Sequence, residues 1–162
     1  MVLELLEGGE IFQIDSGKLV KSHAKYILHQ LLKAIRDLKK KNIIHRDLKP
    51  DNIIFKLKGG NLLDNEVKLV DFGLSAISEP GTHLIHRKCG TPGFIAPEVI
   101  NMSKTATADM CINCDIFSVG MIFFFMLTGV IPYDGEDIYE IMKHNKKADI
   151  DFTIPELKKI DP

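Results

Sequence analysis

No excess of one charge marks this sequence: 21 Lys and Arg stand against 22 Asp and Glu, a formal net charge of -1 at pH 7. Such a balance creates no long-range field to draw the chain to nucleic acid or to an anionic membrane surface, so neither is expected as a partner. Cysteine is scarce, 3 in 162 residues, and its spacing forms no framework. That fits a reducing compartment better than a disulfide-stapled secreted fold. Cys111 and Cys114 form a C-x-x-C, but no second pair follows to complete a zinc site and no strand precedes it as in a thioredoxin motif, so two buried or idle thiols is the preferred reading. The first ten residues carry Glu4, Glu7 and Glu10 and no basic cluster, unlike a signal peptide. A cytoplasmic or nuclear location is expected.

A membrane-spanning run is missing too. Ile116 to Ile131 is almost wholly apolar, but it begins beside Asp115, stops at Thr128-Gly129 and Pro132, and is shorter than the ~20 residues a bilayer requires. A segment apolar on every side is more often a helix buried in a protein core. Internal repeats and low-complexity tracts are absent.

What is there suffices for one domain: 45% of residues are hydrophobic, enough to bury a real core. Met1 to Leu6 alternates weakly and reads as the end of a strand, broken by Gly8-Gly9. From Ser22, a candidate N-cap, apolar residues at Ala24, Ile27, Leu28, Leu31, Ile35 and Leu38 recur at helical spacing and predict a helix to about Lys41. Asn52 to Leu57 and Glu66 to Val70 read as the arms of a small hairpin around Lys58-Gly59-Gly60-Asn61. From Asp71 to Glu98 no period shows and Gly, Pro, His and Ser abound, which predicts a long loop, and loops of that length are usually functional. Helices are predicted at about Cys114 to Leu127 and Asp137 to Lys146.

Three short patterns carry chemistry. His45-Arg46-Asp47-Leu48-Lys49-Pro50-Asp51-Asn52 fits H-R-D-x-x-x-x-N, Asp71-Phe72-Gly73 fits D-F-G, and Ala96-Pro97-Glu98 fits A-P-E. Taken singly, each is more often an ordinary turn or helix end. In this order and spacing, each on a loop after the element it should follow, they leave little room for chance.

On these motifs the sequence resembles the eukaryotic Ser/Thr protein kinase family, over essentially its whole length. Asp71-Phe72-Gly73-Leu74-Ser75 and Cys89-Gly90-Thr91-Pro92-Gly93 through Glu98 are most like the calcium/calmodulin-dependent group. The resemblance implies a mainly α fold with a small β-hairpin, the α+β large C-terminal lobe of a kinase. Residues 1–162 would be a partial domain, from the hinge between the lobes through the αG region, with the small lobe absent. It implies ATP as co-substrate, Mg²⁺ as cofactor and protein substrates as partners, alongside the missing small lobe of a parent kinase.

The resemblance also assigns roles. Asp47 would orient the substrate hydroxyl and take its proton, and Lys49 would reach the transferred phosphate. Asn52 and Asp71 would offer hard oxygen ligands to Mg²⁺. Leu3, Glu4 and Leu6 would lie along the adenine, Leu3 as gatekeeper, with Ile54 beneath the ring; ordinary strand and core packing is the rival reading for all four. Glu10, in Gly8-Gly9-Glu10, would meet ribose or a basic substrate residue. With Asp51 it would favour substrates bearing Arg or Lys upstream of the phosphorylated Ser or Thr, although solvated surface acids read equally well. Thr91 would bond Asp47 and Lys49, and Asp115 would brace the catalytic-loop backbone.

Departures are equally visible. Arg87 stands where many of these kinases carry an activating phosphothreonine that pairs with Arg46; either this site is not used, or Thr82 or Ser78 serves. Phe117 replaces a usual Trp. No G-x-G-x-x-G loop, V-A-I-K lysine or αC glutamate occurs in the sequence, and Glu98 lacks the Arg that pairs with it in the family. The polypeptide by itself is therefore expected to have little or no kinase activity. A pseudokinase or truncated interaction scaffold is the rival reading, against which Asp47, Asn52 and Asp71 speak; a small membrane protein built on Ile116 to Ile131 is a third.

Overall fold

The computed structural model describes residues 2–11, 19–78, 88–102, 113–133 and 135–160. In these the order is α1 (Lys21–Lys40), β1 (Ile43–Ile44), β2 (Ile53–Phe55), β3 (Val67–Leu69), β4 (Ala76–Ile77), α2 (Pro97–Asn101), α3 (Cys114–Thr128), α4 (Ile138–Lys147) and α5 (Pro155–Lys158). Helices dominate, and the strands form two small antiparallel pairs, β1 with β4 and β2 with β3.

Helix α1 buries Ala24, Ile27, Leu31 and Ile35 on one stripe, as the helical spacing requires. It starts after Val20, with no side-chain cap; Ser22, expected as N-cap, lies inside the first turn. Leu19 explains the entry: its side chain is buried and its N–H donates to the Met126 carbonyl at 2.8 Å, so a tertiary contact fixes the start. The stripe packs on α3, where Val119, Ile122 and Met126 join Ile53, Phe55 and Tyr133 in the main core. Helix α3 ends at Gly129, whose φ of 73° lets its N–H close on the Phe125 carbonyl at 2.8 Å. Among the described residues no helix is long and apolar enough to cross a membrane.

The hairpin pairs Ile53 with Leu69, Ile54 with Lys68 and Phe55 with Val67. Gln30 of α1 holds it by donating to the Asn65 carbonyl at 3.1 Å and accepting the Val67 N–H at 3.0 Å. The expected strand near Leu6 is not formed. Residues 2–7 run irregularly, and Glu7 and Gly8 only donate to the Lys56 and Phe55 carbonyls. Gly8 comes so close that an added Cβ would lie 2.4 Å from the Phe55 Cβ. The predicted long loop is not structureless either: it contains a 3-10 turn, Phe72–Leu74, and β4, whose Ala76 and Ile77 pair with Ile44 and Ile43. Two-residue strands are too short to show a period.

Candidate active site

Two loops meet above α3. The first follows β1, and Asp115 anchors its backbone from beneath: the carboxylate accepts the His45 N–H at 2.8 Å and the Arg46 N–H at 2.9 Å. Burial pushes the pKa of this carboxyl up, against the pull of those two donors. Arg46 sits at φ 69°, a left-handed conformation rare for a non-glycine residue, and its Nε donates to the Leu74 carbonyl across the gap to the second loop. The His45 ring is buried, with Nε2 3.0 Å from the Val70 carbonyl and its centroid 4.8 Å from that of Phe72. Its Nδ1 faces the Asp47 N–H at 3.4 Å, so the partners assign the proton to Nε2.

Three side chains converge on Asp47, whose own side chain is 11% exposed. The Thr91 hydroxyl donates to Oδ1 at 2.7 Å, and the Lys49 Nζ lies 4.0 Å from Oδ2. The Asn52 amide donates to the Asp47 carbonyl at 2.9 Å and reaches Oδ2 at 3.5 Å. Asn52 in turn takes the Val70 N–H on its backbone carbonyl at 3.0 Å. Because Ile53 pairs with Leu69, Asn52 and Asp71 stand at the same end of the hairpin. Asp71 is exposed, has φ 59°, and caps the 3-10 turn by accepting the Gly73 N–H on Oδ1 at 3.1 Å.

The segment from Cys89 lies across the catalytic loop. Gly90, at φ 120°, approaches so closely that a Cβ would stand 2.8 Å from the Arg46 carbonyl oxygen. Cys89 is half-buried beside Arg46 and Asp47; burial raises its thiol pKa, Arg46 opposes and Asp47 adds to the rise.

Leu3, Glu4 and Leu6 face the stretch from Lys68 to Gly73 across an open cleft of about 660 Å³, so these N-terminal residues share a concavity with Asp71. Glu4 is held there by Lys56 at 3.5 Å and Lys68 at 3.8 Å, and both lysines also pair with Glu66 at 3.2 Å. Leu3 is 74% exposed. Glu10 and Ile54 do not line the cleft; they form a backbone bridge with each other, with Ile54 half-buried. Glu98 occupies the first turn of α2, half-buried, and forms no ion pair with the described residues. Ser78 is buried, its hydroxyl away from solvent; Thr82, Arg87 and Cys111 lie outside the described residues.

Two site residues escaped sequence reasoning. Ser118 of α3 donates to the Phe94 carbonyl at 2.7 Å, and Asn145 of α4 bonds the backbone of Gly93 and Ile95. Both are polar residues within helices whose signature in the sequence is apolar periodicity.

A model described as "Protein kinase domain" matches residues 1–162. The chain belongs to the protein kinase domain family. Similar curated proteins include CBL-interacting serine/threonine-protein kinase 8 of Arabidopsis thaliana, 34% identical over 157 residues, covering 96% of this chain and 33% of that protein. CBL-interacting protein kinase 26 of Oryza sativa subsp. japonica is 38% identical over 152 residues, 91% of this chain and 29% of its own. Calcium-dependent protein kinase 4 of Plasmodium berghei is 36% identical over 162 residues, 99% of this chain and 29% of its own. This kinase chain thus spans about a third or less of the length of these relatives.

Proposed function

We propose that the protein of which this chain forms part transfers the γ-phosphate of ATP to Ser or Thr hydroxyls of protein substrates. The convergence of Thr91, Lys49 and Asn52 on the Asp47 carboxylate, with Asp71 at the same hairpin end as Asn52, supports this reading most directly. Phosphoryl transfer requires mainly positioning and neutralisation of spreading charge. A substrate hydroxyl beside Asp47 would be oriented by the carboxylate, and as its oxygen bonds to the γ-phosphorus its proton would pass to Asp47. The bond from phosphorus to the β–γ bridging oxygen breaks, and ADP leaves with that electron pair. Lys49 would balance charge on the transferred group.

The residues also suit a hard divalent ion. Among the described residues no cluster of three or more His, Cys, Asp or Glu could enclose a metal by itself. Magnesium does not need one, since it keeps several waters and uses one or two carboxylates with substrate phosphates. The Asn52 amide nitrogen is spent on Asp47, which leaves its amide oxygen as a donor, and Asp71 uses one carboxylate oxygen on Gly73. Asn52 and Asp71 would hold Mg²⁺ there, and the ion would supply positive charge against the nucleotide phosphates.

The cleft lined by Leu3, Glu4, Leu6 and Asp71 would hold the nucleotide. Glu10 and Asp51 would favour substrates with Arg or Lys upstream of the acceptor. Residues 1–162 alone, holding no Gly-rich loop or strand lysine, are expected to turn over weakly if at all. The test is labelled phosphate transfer by the full-length protein to Ser peptides with and without an upstream Arg. Turnover that survives Asp47→Asn would exclude the proposal.

A further inference from the structure

The turn after Thr91 is where the kinase reading places the substrate peptide, and one residue the sequence motifs do not touch controls it. Asn145 is the only residue of α4 that is buried, at 0% exposure. A fully buried amide is costly unless its donors and acceptors are satisfied, so an apolar residue would be the cheaper occupant. Asn145 instead spends both ends of its amide on one short stretch of backbone. Its Oδ1 accepts the Gly93 N–H at 3.0 Å, and its Nδ2 donates to the Ile95 carbonyl at 2.7 Å.

That stretch begins at Thr91, whose carbonyl accepts the N–H groups of Phe94 and Ile95 at 3.1 and 3.2 Å. Ser118 holds the Phe94 carbonyl from the α3 side. The turn is thus fastened at one end by the Thr91 hydroxyl on Asp47 and at the other by Asn145, with Gly93 at φ 88° between. Asn101 of α2 also donates to the Lys146 carbonyl at 3.2 Å, so α4 is held against the helix that follows the turn.

We propose that Asn145 is a positioning residue for the phosphotransfer site: it fixes the 91–95 turn so that Thr91 stays registered on Asp47 and the backbone wall beside the acceptor hydroxyl keeps its shape. The inference rests on the kinase reading for its consequence and on the two amide bonds for its geometry. Asn145 touches neither Asp47 nor the nucleotide cleft, so its loss should weaken the hold on the peptide and leave the hold on ATP alone.

The experiment compares full-length wild type with Asn145→Leu, near-isosteric but without hydrogen bonds, and Asn145→Asp, which keeps the acceptor for Gly93 and loses the donor to Ile95. For Asn145→Leu the KM for a Ser peptide should rise at least about tenfold, as expected for two lost bonds, while the KM for ATP stays within about twofold. Asn145→Asp should raise the peptide KM as well, because a carboxylate oxygen would face the Ile95 carbonyl where the amide donated. Equal KM values for peptide in all three proteins, or parallel losses for peptide and ATP, would overturn the proposal.

Amide hydrogen exchange separates failure of this inference from failure of the kinase reading. If wild type transfers no phosphate, the kinase reading falls. The clamp itself is then judged by the Gly93 N–H, which should exchange at least about tenfold faster in Asn145→Leu while the β2–β3 amides keep their protection. Unchanged exchange at Gly93, or equal acceleration in the hairpin, overturns the clamp.

Discussion

The Thr91 hydroxyl donates to the Asp47 carboxylate at 2.7 Å, joining the catalytic loop to the segment that precedes α2. Two residues far apart in the chain thereby meet at one carboxylate oxygen. Under the proposed chemistry, Thr91→Val, which keeps the shape and deletes the hydroxyl, should lower kcat for peptide phosphorylation by about 10- to 100-fold. Thr91→Ser should retain most of it. Steady-state kinetics on both variants check this; equal losses would show that the methyl, not the hydroxyl, matters.

Asp115, itself buried, satisfies two backbone donors of the catalytic loop. Asp115→Ala should therefore cost about 2–5 kcal/mol of folding stability, measured by urea unfolding, because the His45 and Arg46 N–H groups lose their acceptor.

The pH dependence of the same group has a definite sign. Burial raises the Asp115 pKa above the ordinary 3.8, so the native state binds this proton more tightly than the unfolded chain. Its contribution to stability is complete below the unfolded value and declines as pH rises through the raised native value. The Asp115→Asn variant has no proton to lose at this position, so the stability difference, wild type minus variant, should shrink as pH is raised from about 3 to about 7. Paired urea titrations across that range give the answer, and a growing difference contradicts it.

Gly90 admits no side chain: φ is 120°, and a Cβ would sit 2.8 Å from the Arg46 oxygen and 2.9 Å from Ile95 Cγ1. Gly90→Ala should destabilise by about 1–3 kcal/mol from backbone strain alone. Gly59→Ala, also at positive φ but with nothing within 4 Å of the Cβ, separates strain from collision. Thermal denaturation should rank Gly90→Ala as the worse of the two.

Cys89 should react slowly with iodoacetamide near neutral pH, and its alkylation midpoint should lie above the ordinary 9.0, because burial disfavours the thiolate. Since the Asp47 charge adds to that rise, Asp47→Asn should move the midpoint down. Peptide mass spectrometry of timed alkylation follows Cys89 individually.

Much of the fold was legible because its helices carry their burial in their spacing. The stripe from Ala24 to Ile35 and the apolar run after Asp115 both became helices at nearly the expected bounds. The hairpin was legible from its turn residues. What escaped depends on contacts far apart in sequence. Val20 rather than Ser22 precedes α1 because Leu19 is pinned to Met126, and β4 exists only because β1 lies beside it. At the site, Lys49 and Asn52 share one short motif with Asp47 and so lie close in sequence, whereas Thr91 reaches Asp47 only through the fold. Asn145 and Ser118 carry no local signal: each is defined by a carbonyl or N–H that folding brings to it.

Helix α3 places Asp115 under the His45–Asn52 loop and Ser118, about one turn on, under the 91–95 turn. The pitch of a rigid rod thereby sets the spacing between two pieces of chain that would otherwise drift independently. Transplanting the His45–Asn52 loop into a foreign scaffold should yield an inert ornament unless this rod, with its aspartate and serine, is carried along as a ruler.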